Sequence, residues 1–126
     1  MSKIASKETK PEILVRKYLF SRGFRYRKNA KELPGKPDII LPKYKTVIFI
    51  HGCFWHGHDG CQKSQLPTSN IEFWIEKIGK NKERDQKEIQ KLQLLGWKVI
   101  VVWQCEIKNR ILQKERLERL VLEIRQ

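Results

Sequence analysis

Apolar positions along the chain switch between a spacing near 3.6 residues and a spacing of two, and the switches mark out its elements. Thr9-Lys10-Pro11-Glu12 has the spacing of a capping box with Pro in the first turn, and "ILVRKYLFSRG" after it predicts a helix stopped at Gly23. Phe24 to Arg27, "FRYR", alternates as a strand does. Past the turn-forming "PGKP" come two short apolar runs, Asp38 to Leu41 and Thr46 to Ile50, joined by "PKYK" in the pattern of a hairpin. The polar stretch "DGCQKSQLPTSN" leads into a long helix predicted to begin near Ser69 or Asn70 and to end at Gly96. "WKVIVVW", residues 97 to 103, reads as a buried strand from its Val and Ile content, and Leu117, Leu120, Val121 and Ile124 share one face of a last helix. The order is α/β: a mixed β-sheet flanked by helices.

Within the long helix, Ile78, Asp85, Ile89 and Leu92 fall on one stripe, so a carboxylate sits on an apolar face. There it loses hydration and must be paired, bound to a metal or used in proton transfer, because burying it alone costs several kcal/mol. Ile71, Trp74 and Ile75 share that stripe one or two turns earlier, and periodicity alone makes Trp74 a core residue.

Composition narrows the class. A chain of 126 residues without repeats or a linker rich in Pro, Gly or Ser is expected to form a single domain over residues 1–126. Lys and Arg number 27 against 14 Asp and Glu, for a net charge of +13, which points to a polyanion as partner, with a solubilising basic surface as the alternative, since charge argues for non-specific attraction and not for an activity. No apolar run reaches the length of a membrane span, and "MSKIASKETKPE" lacks the apolar middle of a secretory signal, so the expected setting is cytoplasmic, with no membrane partner. Three cysteines in such a chain favour metal ligation or free thiols over disulfides.

The chemistry concentrates in "IFIHGCFWHGHDGC", Ile48 to Cys61. A closed zinc site takes four Cys or His ligands, and Cys53, either His56 or His58, Cys61 and the distant Cys105 supply three thiolates and one imidazole. His51 and one of the other two histidines then remain unspent. Asp38, opening a strand after "PGKP", is either a turn-stabilising residue or a divalent-metal ligand at a strand mouth, and hairpin pairing would bring His51 beside it.

"LPGKPDIILPKYKTVIFIHGCFWHGHDGC", then "EFWIEKIGKNKERD", then "LGWKVIVVWQCEI", resemble in order and spacing the very short patch repair (Vsr-type) DNA mismatch endonucleases over about residues 3 to 108. The resemblance implies a restriction-endonuclease-like fold with a structural zinc site, and a magnesium-dependent nick in double-stranded DNA on the 5′ side of the thymine of a T:G mismatch left by deamination of 5-methylcytosine. It makes Asp38 the magnesium-binding carboxylate and the main-chain carbonyl of Ile50 a second magnesium ligand. His51 and His56 match the catalytic histidines, with His56 our choice of base; Asp85 matches the supporting acid and Glu12 the active-site glutamate, although the capping box gives Glu12 a competing structural reason. Zinc would be held by Cys53, His58, Cys61 and Cys105, and Phe54, Trp55 and Trp74 match the aromatics that wedge into DNA beside the mismatch. The protein would act as a monomer and meet other DNA repair proteins.

Two departures stand out. Asp59 and Gly60 separate His58 from Cys61 where the family more usually has one residue, which leaves His58 and Asp59 both open as the fourth zinc ligand, and the arm before Thr9 is short. A zinc-containing module that binds nucleic acid without cutting it, and a less selective metal-dependent nuclease, are the rival readings. Asp38, His51 and Asp85 speak against the first, since a pure binder has little use for them.

Overall fold

The computed structural model describes residues 10–27 and 32–126, so Thr9 of the capping box lies outside the described residues. Helix α1 spans Lys10–Ser21, strand β1 Ile39–Leu41, β2 Thr46–His51, helix α2 Ile71–Leu94, β3 Lys98–Trp103 and helix α3 Arg110–Arg125, with short 3-10 turns after β1, before α2 and after β3. Among the described residues the sheet has the order β1-β2-β3. β1 and β2 form the expected hairpin, with Ile39 opposite Ile48 and Leu41 opposite Thr46. β2 and β3 run parallel, from Thr46 beside Lys98 to His51 beside Trp103. A parallel pair needs a long crossover, and α2 supplies it.

The period of two decides which face each β2 residue serves. Ile48 joins Ile39, Leu41, Ile100 and Val102 in a core closed by Val15 and Leu19 of α1 and by Leu117, Leu120, Val121 and Ile124 of α3. Val47 and Phe49 point the other way, where Ile40 and Leu92 are buried and Ile89, Val99 and Val101 pack against them. The same alternation sends His51 to the α2 side at the end of the strand. No helix of the described residues is long and apolar enough to cross a membrane.

Three details differ from the pattern reading. Phe24 to Arg27 forms no strand: Arg27 makes a single antiparallel bridge to Ile40, because β1 offers only three positions to pair with. Asn70 precedes α2 in a left-handed conformation (φ 57°) and makes no side-chain cap. Trp74 is not a core residue. α2 is about 36 Å long against about 20 Å for β3, so its first turns run past the sheet. Ile71 and Ile75 stay 39% and 57% exposed, and the buried stripe starts only at Ile78.

Candidate active site and metal centre

Asp38 ends the turn that leads into β1, and its Oδ2 accepts a hydrogen bond of 2.7 Å from the Ile50 amide. A strand residue presents its N–H and C=O to the same edge, so the Ile50 carbonyl faces this side as well. Glu12, on α1, shares a hydrogen bond with Asp38 and lies 3.6 Å from Arg16. Burial raises Asp38 to a pKa of about 6; the Ile50 amide opposes this, Glu12 adds to it and Arg16 subtracts. Two crowded carboxyl groups plus a carbonyl form a hard oxygen set, the kind that suits magnesium.

Across one cavity of about 450 Å³ from Asp38 stand His51, His56 and Asp85. The two imidazoles stack with centroids 3.8 Å apart and planes 4° from parallel. His56 Nδ1 meets Asp85 Oδ2 at 2.6 Å, which accounts for the carboxylate on the apolar stripe of α2. With Nδ1 donating to that carboxylate, Nε2 carries the lone pair and is free to accept a proton. His51 is pushed down to a pKa of about 4 by burial and then by His56, against the pull of Asp85, and is therefore neutral near pH 7. These three residues also lie within 4.8 Å of one another. Parallel rings aim their lone pairs along separate planes instead of at one point, so the trio is better built for proton transfer than for a shared ion.

A second group, Cys53, His58, Cys61 and Cys105, brings three sulfurs and one ring nitrogen within 4.8 Å of one another. Cys105 Sγ lies 3.4 Å from His58 Nδ1, close to the ligand separation of about 3.5 Å that a tetrahedral zinc imposes. Asp59 turns away to bind Lys82 at 2.9 Å. Burial and the neighbouring Cys53 and Cys61 push Cys105 up to about 12, while the Lys63 amide, chiefly, holds Cys61 below the ordinary thiol range. A cation among these sulfurs would reverse the repulsion that keeps Cys105 protonated. The residues fit a structural zinc and can hold a metal ion.

The loop between these groups is fastened to α2 residue by residue. Asn81 Nδ2 donates to the Trp55 carbonyl, Lys82 reaches Asp59 and Asp85 takes His56. Gly57 has φ +60°, and a Cβ there would stand 2.7 Å from Lys82 and 2.8 Å from Ile78, so loop and helix touch backbone to side chain. Phe54, Trp55 and Trp74 pack edge to face at 5.2–5.8 Å, and Trp55 is 52% exposed. Phe73 adds a fourth ring against Trp74.

The structure thus gathers Glu12, Asp38, Ile50, His51, His56 and Asp85 at one place, the Cys/His group at a second and the aromatics at a third. No sequence motif marks Lys36 and Arg84, which line the first cavity, or Asn81, Lys82 and Trp103, which hold the loop or its rings. The position of Asn81 on the Ile78–Asp85 stripe was the available signal, since a polar residue there also needs a partner.

A family model described as DNA mismatch endonuclease Vsr matches residues 1–63. The chain is similar to the type II nicking enzyme V.NmeAIP of Neisseria meningitidis serogroup A, with 64% identity over 125 residues, 99% of this chain and 89% of that protein. It shares 46% identity over 121 residues with the type II nicking enzyme V.XorIIP of Xanthomonas oryzae pv. oryzae, covering 96% and 88%. With the DNA mismatch endonuclease Vsr of Escherichia coli K12 it shares 44% over 110 residues, covering 87% and 70%.

Proposed function

The chain belongs to the Vsr family of DNA mismatch endonucleases, and from that membership we propose that it nicks double-stranded DNA on the 5′ side of the thymine of a T:G mismatch by magnesium-dependent hydrolysis of the phosphodiester. The observation that carries this reading is the His56–Asp85 pair facing Asp38 across one cavity. The names of the Neisseria and Xanthomonas relatives, nicking enzymes, agree with cleavage of one strand.

In this proposal Asp38 and the Ile50 carbonyl would hold magnesium, with Glu12 hydrogen-bonded beside them, and the ion when bound would screen the phosphate and stabilise the leaving oxygen. His56 accepts a proton from the attacking water at Nε2, and Asp85 favours the imidazolium that results. His51, neutral and stacked on His56, hydrogen-bonds the phosphate or the leaving group. Cys53, His58, Cys61 and Cys105 would hold zinc, and the four ligands so joined would keep the loop that carries His56 and the aromatics in shape. Phe54, Trp55 and Trp74 enter the base stack, where unstacking costs a few kcal/mol and least at a faulty pair. The strands between α1, α3 and α2 would be the described part of a restriction-endonuclease-like fold, in one domain working in the cytoplasm.

The test is a labelled duplex with a single T:G pair beside its matched T:A counterpart, incubated with zinc-loaded protein and magnesium. A nick 5′ of the mispaired thymine is expected. Equal cutting of both duplexes would leave a less selective nuclease, and binding without any nick would leave a nucleic-acid-binding module.

A further inference from the structure

The His51 ring is buried, and among the described residues neither of its nitrogens has a hydrogen-bond partner. Three aromatic rings pack against it. His56 covers its face, Phe49 packs at 5.5 Å and 51°, and Trp103 meets it edge-on at 5.2 Å and 75°. Trp103 is also the residue paired with His51 in the parallel register of β2 and β3, so the contact is built into the sheet. Against the same indole lies His58, stacked at 4.1 Å and 6°. One side chain therefore spans an imidazole of the Cys/His group and an imidazole of the reaction site.

We propose that Trp103 is a positioning residue for nicking: it ties the orientation of His51 to the metal-ligating His58, so that filling the Cys/His group sets the catalytic histidine pair. This rests on the nicking reading above. Trp103 is itself anchored, since its amide donates to Glu106 Oε1 at 2.9 Å and Glu106 pairs with Arg116 at 3.2 Å on α3. Cys105, two residues further on, is 3.4 Å from His58, so the His58 ring is held between a cluster sulfur and the indole. Trp103, His51, His58 and Lys82 line one cavity of about 430 Å³. Small misplacement of a reacting group is enough to matter, costing on the order of 10²-fold in rate for about 1 Å.

The experiment compares wild type with Trp103→Leu and Trp103→Phe, loaded with zinc or cobalt. Trp103→Leu is expected to keep the cobalt absorption bands of the cluster and the affinity for T:G duplex, yet to nick about 10- to 100-fold more slowly in a single turnover. Trp103→Phe, which restores a flat ring, should recover most of that rate. Imidazole resonances of His51 and His56 should shift on zinc loading in wild type and Trp103→Phe but not in Trp103→Leu. Unchanged nicking in Trp103→Leu would overturn the proposal, as would loss of the cobalt bands in that variant or a failure of Phe to rescue. If wild type nicks no duplex, the nicking reading falls and the catalytic half of this proposal with it. The resonances then decide whether Trp103 links the two histidines.

Discussion

Asp38 is held where its protonated form is favoured, because the folded chain binds that proton at about pH 6 against 3.8 ordinarily. Its contribution to stability is fully present below about pH 3.8 and is lost as pH rises through about 6. His51 runs the other way: its contribution is present above about 6.5 and lost as pH falls through about 4. Between pH 4 and 6 the two offset each other, and the magnesium-free protein should show a flat stability profile there. Asp38→Asn should be more stable than wild type at pH 7 by about 1–2 kcal/mol, with the gain gone near pH 4, as urea denaturation would measure. The same variant should lose nicking by orders of magnitude while zinc content and DNA affinity stay near wild type. His56→Ala should forfeit about 10²- to 10⁴-fold in single-turnover rate, and the double variant should lose far less than the product of the two, as the proposal that both groups serve one step requires.

Helix α2 and the loop before it behave as one unit, and their contacts give local substitutions long reach. Gly57→Ala combines a left-handed backbone with a Cβ 2.7–2.8 Å from Lys82 and Ile78, so the loop must lift from the helix. A loss of about 1–3 kcal/mol is expected in urea denaturation, with slower nicking because His56 leaves Asp85. Cys105→Ser should lower zinc content, measured by metal analysis, together with solubility, since it removes the sulfur through which the Cys/His group reaches the end of β3 and would bind the proposed zinc. What the sequence makes legible here follows from period. β2, β3, α3 and the odd placement of Asp85 among Ile78, Ile89 and Leu92 all stand out because each answers a local rule. Which group Asp85 meets does not, because His56 arrives through a loop whose path depends on Gly57, Asn81 and Lys82. The choice between His56 and His58 for the cysteine group has the same root: the two lie only two residues apart in sequence, and only tertiary placement sends one to Asp85 and the other to Cys105. Trp74 misleads for a different reason, since a helical stripe records which residues could face a sheet but not where the sheet stops.

Across the whole molecule a net charge of +13 attracts DNA without selecting a sequence, so affinity should fall steeply with salt, by about 0.9 log units per log unit of salt for each phosphate contacted. In the proposed reading, selection falls to the aromatic cluster from which the exposed Trp55 projects. Trp55→Ala should weaken binding to T:G duplex more than to matched duplex in a titration at fixed salt; equal losses would assign Trp55 to non-specific stacking. The parallel pairing of β2 with β3 has a kinetic consequence. Its partners lie about fifty residues apart along the chain, and pairing them costs the entropy of closing that loop. Cys53 and Cys105 each lie two residues beyond the end of one of the two paired strands. An ion captured by both early in folding would act as a temporary cross-link, removing chain entropy worth about 4 kcal/mol for a loop of that length and delivering the two strand ends to each other. Refolding from urea should therefore be faster with zinc present than without it, and the acceleration should disappear in Cys105→Ser: a metal that holds the finished loop would also have drawn the sheet together.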